Sequence, residues 1–108
     1  FSTWSFVEAV PLDRKALEGM IKRDLPANIY RCKGFLNLAE DPAHRYVLQV
    51  VGRRVQLTKD RPWGAETPRS RIVAIAHRTT LDAGHLADLF GSCRAVIDIE
   101  APRQLAAG

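Results

Sequence analysis

Hydrophobic and polar positions along the chain fall into short segments of two different periods. Residues 2–7 alternate polar and apolar with Trp4 and Phe6 on one face, the pattern of a half-buried strand. From residue 13 the period changes, and Ala16, Leu17, Met20 and Ile21 share one face at helical spacing. Asp13 stands where an N-cap belongs, with Leu12 and Leu17 around it as a hydrophobic staple. Lys22 and Arg23 occupy the last turn, where cations suit the helix dipole, and Pro26 stops the helix. Alternation resumes over residues 29–38. Tyr30, Cys32, Leu36 and Leu38 share a face with Gly34, while Arg31, Lys33, Phe35 and Asn37 line the other. Glu40-Asp41-Pro42 signals a turn. Residues 45–51 and 55–59 read as two arms of a hairpin about Gly52-Arg53. Residues 60–70, with Pro62, Gly64 and Pro68, read as a loop, and 71–77 as a strand through Ile72, Val73 and Ile75. Asp82 then caps a second helix, with Leu81 and Leu86 as its staple, Leu86, Leu89 and Phe90 as its apolar face, and Gly91 as its stop. Residues 95–99 read as a short edge strand and 104–108 as a frayed end.

The element order is therefore β-α-β-β-β-β-α. It predicts an α+β fold: a mostly antiparallel sheet with two helices on one face, ferredoxin-like or related. The Leu-Asp start common to both helices fits shared capping grammar as well as an internal duplication. A length of 108 residues bounds the chain to about one domain. Its 46% hydrophobic and 26% charged residues match an ordinary globular protein and exclude whole-chain disorder. No apolar run approaches the ~20 residues of a membrane span. Phe1 opens directly onto a strand, as if the chain were cut from a longer one.

Candidate chemistry is sparse. Cys32 and Cys93 follow no metal or redox spacing and read as small buried hydrophobes in a reduced, cytoplasmic protein. His44, His77 and His85 fall in a turn, at a strand end and early in a helix, which reads as three separate histidines rather than one metal site. Ser2, Ser5, Ser70 and Ser92 lack the context of an activated nucleophile, and Asp98 and Glu100 do not by themselves make an acid–base pair, so no catalytic residue is assigned. The formal net charge of +4, mostly arginine, favours an acidic partner or nucleic acid, without a basic tail. Lys33-Gly34-Phe35 resembles a strand of the RNA-recognition motif, but it lies on the second strand and is followed on its face by Asn37 and Ala39, not aromatics. Trp63 has two readings: an exposed interface residue, or a ring folded back over the sheet edge.

Several segments taken in order resemble the C-terminal domain of CobW-type metal-chaperone GTPases. They are Phe1-Ser2-Thr3-Trp4-Ser5-Phe6 with its Pro11-Leu12-Asp13 helix start, Arg31-Cys32-Lys33-Gly34-Phe35-Leu36, Tyr46-Val47-Leu48-Gln49-Val50-Val51-Gly52, Trp63-Gly64 followed by Pro68-Arg69-Ser70-Arg71-Ile72-Val73, and the Leu81-Asp82 helix. Ala76-His77 departs from the pattern, which has a glycine there. The resemblance implies a domain over residues 1–100 with a flexible tail at 101–108, in a protein whose N-terminal GTPase domain this chain lacks. GTP with Mg and a transition metal, Zn or Co, would belong to that absent domain, since no Gly-x-x-x-x-Gly-Lys-Ser/Thr loop or thiol cluster stands here. The implied function is an accessory or regulatory one, in cobalamin synthesis or metal homeostasis, exerted through protein contacts. Implied partners are the GTPase domain in cis, a metal-requiring client protein and a further copy in a homo-oligomer, with no membrane. The contact surface is assigned to Arg31, Lys33, Trp63, Arg69 and Arg71. The alternative is a stand-alone nucleic-acid-binding module.

Overall fold

The computed structural model describes residues 1–77 and 81–96. The elements run β1 (Ser2–Glu8), α1 (Arg14–Arg23), β2 (Ile29–Asn37), β3 (His44–Val51), β4 (Arg54–Pro62), β5 (Ser70–Ala76) and α2 (Ala83–Gly91). The five strands form one sheet in the order β1-β5-β2-β3-β4, and every neighbouring pair is antiparallel. β1 and β2 therefore run parallel to one another, joined through α1 and separated by β5, which enters between them last. The expected α+β order is the observed one.

Both helices start where the capping chemistry places them. The Asp13 carboxylate accepts from the Ala16 amide at 2.8 Å, and the Asp82 carboxylate from the His85 amide at 3.0 Å. At the other end of α1, the Arg53 guanidinium of the β3–β4 turn donates to the carbonyls of Ile21 and Lys22. It thus satisfies two acceptors that a helix terminus leaves open. The turn itself requires Gly52, which takes a φ of 62°.

One face of the sheet carries the core. Phe6, Cys32, Leu36, Leu48, Val50, Ile72, Ala74 and Ala76 are buried beneath Leu17, Met20 and Ile21 of α1 and Leu86 and Phe90 of α2. Trp4 and Phe6 stack at 5.6 Å and both meet the Phe90 ring within 5.8 Å, which ties β1 to α2. Leu12, fully buried, fastens the β1–α1 connection: its backbone bridges Leu38 on one side and Arg94 on the other. Cys32 and Cys93 are free and buried, and desolvation pushes the Cys32 thiol up to about 12, so it packs as a hydrophobe.

Four details differ from the sequence reading. Tyr30 does not share the Cys32 face, because a register shift between Ile29 and Arg31 turns Ile29 inward instead. Tyr30 packs on the rings of Phe1 and His77. β4 continues to Pro62, three residues into the expected loop, held there by the Arg45–Asp60 pair and by a register shift between His44 and Tyr46. Pro62 is tolerated because β4 is an edge strand. Gly91 does not stop α2 with a left-handed turn: it is the last helical residue, and Ser92 caps in right-handed geometry. A Cβ at Gly91 would lie 2.9 Å from Nη1 of Arg94, the far end of a flexible side chain that can move aside. Residues 95 and 96 form no strand, while 97–100 and the frayed end expected at 104–108 lie outside the described residues.

Gly34 has a different role. A Cβ there would fall inside the Arg71 carbonyl oxygen and 2.8 Å from the Ile72 Cα, both backbone atoms of β5. Only a glycine lets β5 come this close. Gly34→Ala should therefore destabilise by about 2 kcal/mol or more and lower the thermal midpoint by roughly 10 °C, measured by circular dichroism melting.

Candidate functional site: the open sheet face

Both helices pack on one side, so the other side of the sheet is covered by no described element. The strand registers lay it out in three rows. The first reads Thr3, Ile75, Arg31, Val51, Arg54; the second Ser5, Val73, Lys33, Gln49, Gln56; the third Val7, Arg71, Phe35, Val47, Thr58. Alternation along each strand dictates this, because residues two apart share a face. Phe35, Val47, Val73 and Ile75 form an apolar centre, flanked by the exposed Val7 and Val51. A shallow groove of about 400 Å³ runs over Phe35, Val47, Gln49 and Val73, between Lys33 and Arg71.

Charge on this face is one-sided. Arg31, Lys33, Arg69 and Arg71 have no hydrogen-bonded or ion-pair partner for their side chains among the described residues. Some cations elsewhere are matched, Arg14 to Glu18, Arg94 to Glu8, Arg61 to Glu66 and Lys59 to Asp41, while Lys15, Lys22 and Arg23 of α1 and Arg54 at the edge of this face have no acidic partner among the described residues. Arg45 is matched as well. Its guanidinium holds Asp60 at 2.5 and 2.8 Å and lies 3.8 Å over the Phe35 ring. Asp60 is held below the usual carboxylate range, chiefly by its hydrogen bond from Arg45. The face therefore offers unneutralised positive charge around an apolar centre.

The structure brings four of the five assigned residues, Arg31, Lys33, Arg69 and Arg71, to this face or its rim. Trp63 sits at the same corner but takes the second of its two readings: its ring is folded in and 5% exposed, so it forms a wall rather than a projecting contact. Gly64, with a φ of 60°, makes the turn behind it, and the Trp63 amide donates to the Ala43 carbonyl at 3.1 Å. The Trp63 Nε1–H is buried with no acceptor among the described residues. Arg45 and Thr67, beside Trp63 and Arg69, were not singled out by sequence; only the opposite charges of Arg45 and Asp60 across the hairpin signalled the first. Asn37, which alternation puts on the face of Arg31, Lys33 and Phe35, is buried. Its amide donates to Ser70 Oγ and its side chain to the Ala9 carbonyl, so it belongs to the framework.

His44 lies against Asp41, His77 against two aromatic rings, and His85 is exposed on α2. Among the described residues no group of three or more His, Cys, Asp or Glu stands together to hold a metal ion. Among them, too, no helix is long and apolar enough to cross a membrane.

An antiparallel α+β domain with one helix-covered and one open face is the class these observations define. The model of the cobalamin synthesis protein cobW C-terminal domain matches residues 1–94, and the chain belongs to that family. Two solved structures are similar to it: the zinc-bound YjiA GTPase from E. coli, at 26% identity and a TM-score of 0.67, and a zinc-bound triple mutant of YjiA, at 26% and 0.68. Each comparison covers 87% of this chain but 30% of the solved one, so this chain spans less than a third of the proteins it resembles. A search of curated proteins gave no significant match.

At the base of the β3–β4 hairpin, Asp41 gathers three partners: His44 Nδ1 at 3.1 Å, the Tyr46 hydroxyl at 3.0 Å and Lys59 Nζ at 3.3 Å. The hydrogen bond with His44 contributes most to holding its carboxyl at about 2, below its ordinary 3.8. A depressed carboxylate stabilises the fold above its ordinary value and loses that contribution as pH falls from about 4 through about 2. The thermal midpoint should fall less steeply between pH 4 and 2 in Asp41→Asn than in the parent chain, measured by melting across that range.

Proposed function

We propose that this chain is the accessory domain of a CobW-type GTPase and that it works by docking its open sheet face on the GTPase domain in cis. The observation that carries the reading is the coincidence of the unpartnered cations Arg31, Lys33, Arg69 and Arg71 with an apolar centre on a face that no described element covers. An exposed apolar patch rimmed by polar groups is a mark of an interaction surface. The family shown for the chain, and the roughly two thirds of each similar GTPase that it does not span, supply the natural occupant. On this reading residues 1–100 are the domain, 101–108 its tail, and GTP, Mg and a Zn or Co ion belong to the rest of a cytoplasmic protein that serves metal homeostasis. Docking that differs between nucleotide states would shift their populations, since a contact biases an equilibrium only by differential affinity.

The nucleic-acid alternative has less support. Base stacking needs a free aromatic face, and the aromatic ring available on this face, Phe35, is already covered by Arg45.

In the full-length protein, Arg31→Glu with Lys33→Glu should lower hydrogen-exchange protection of the β2 and β5 amides on the order of tenfold. The melting behaviour of the fold should stay unchanged, because both side chains are exposed and unpartnered. Undiminished protection in a correctly folded variant would remove this face as the docking surface.

A further inference from the structure

The corner of the open face near Trp63 is built differently from its centre. A cleft of about 300 Å³ lies between β2, β3, the start of β5 and the loop at 63–69, lined by Phe35, Arg45, Trp63, Arg69 and Arg71 together with Glu66 and Thr67. The one carboxylate in this lining, Glu66, is paired with Arg61 at 2.7 Å, and Arg45 is paired with Asp60. Arg69 and Arg71 remain without acidic partners among the described residues, and the Trp63 side chain forms one wall of the cleft.

The chemistry of the unpartnered groups selects the ligand. A guanidinium is a donor only. A group that accepts without donating and carries negative charge answers Arg69 and Arg71, and a planar carboxylate matches the fork of an arginine. The position of the cleft indicates where that group comes from. Phe35 and Arg71 line both the cleft and the apolar groove, so the two are continuous. A segment lying in the groove over Val47 and Val73 brings one of its side chains over the cleft.

We infer that the cleft receives the carboxylate of an aspartate or glutamate side chain carried by the segment that docks on the open face. The inference rests on the docking reading and adds its chemistry: the groove takes apolar side chains, and the Arg69–Arg71 cleft takes an acidic one that sets the register. The docking segment is therefore amphipathic and acidic, and a neutral isostere at that one position binds less well.

The test titrates the 15N-labelled chain with N-acetylglutamate amide, N-acetylglutamine amide and inorganic phosphate, following the indole N–H resonances of Trp4 and Trp63. The carboxylate probe should shift the Trp63 resonance saturably and leave that of Trp4, which lies on the opposite face, in place. The neutral analogue should bind at least tenfold more weakly. Arg69→Gln with Arg71→Gln should weaken the carboxylate probe by at least tenfold, with an unmoved Trp4 resonance showing that the fold is kept. Equal binding of the two amino-acid probes, no saturable Trp63 shift, or an unchanged response in the folded double variant would each overturn the inference. Phosphate binding tenfold tighter than the carboxylate would overturn it in favour of a phosphate site. The comparison between probes needs no substitution, so it decides the matter even if the double variant does not fold. Small probes report on the cleft alone; failure here leaves the open face as a docking surface, which the Arg31–Lys33 reversal tests separately.

Discussion

The structure depends on β5 fitting between β1 and β2. Those two strands run parallel, joined through α1, and lie one strand's width apart, so each leaves an edge that a later strand fills. β5 does so along its whole length, from Ser70 opposite Glu8 to Ala76 opposite Ser2 on one side and opposite Ile29 on the other. The fit is tight enough at Arg71–Ile72 that β2 presents no Cβ there, and Gly34 is the residue that makes it possible. Because this pairing joins residues far apart in sequence, its loop-closure entropy is met only when the whole sheet forms.

Closing the sheet in this way sets the two faces apart. Both helices are connected from the same side, and their buried Leu17, Met20, Ile21, Leu86 and Phe90 occupy it fully. The other side is left with the alternate residues of five strands. In a sheet exposed to water on one face those positions are normally polar throughout. Here the centre is Phe35, Val47, Val73 and Ile75, while the cations at the rim, Arg31, Lys33, Arg69 and Arg71, have no acidic partner among the described residues. An apolar centre and an unbalanced rim together favour an apolar, acidic partner over open water.

The site was legible from sequence to the extent that strand alternation could make it so. Arg31 and Lys33 lie two apart on a recognisable strand, so their common face followed from period alone. Arg69 and Arg71 come from a loop and a strand far along the chain, and the resemblance to a family, rather than any spacing, put them with the others. Trp63 was ambiguous because a single aromatic residue in a loop has no periodicity to orient it; its burial depends on the backbone bond to Ala43 and on the extension of β4. Arg45 and Thr67 were missed for the same reason, since their role exists only where the hairpin base meets the loop at 63–69.

What the sequence by itself determined is local. Asp13 and Asp82 cap their helices, Gly52 turns the hairpin, and alternation assigns the two faces of β1, of β5 and of β2 from Arg31 to Leu36, because each of these depends on interactions within a few residues or on the period of the backbone. The tertiary structure decided the rest. Long-range pairing placed β5 at the centre, turned Ile29 inward in place of Tyr30, and carried β4 on to Pro62. It also buried Asn37 against Ser70. Each of these outcomes is a contact between residues distant in the chain, and its energy exists only once the sheet has closed.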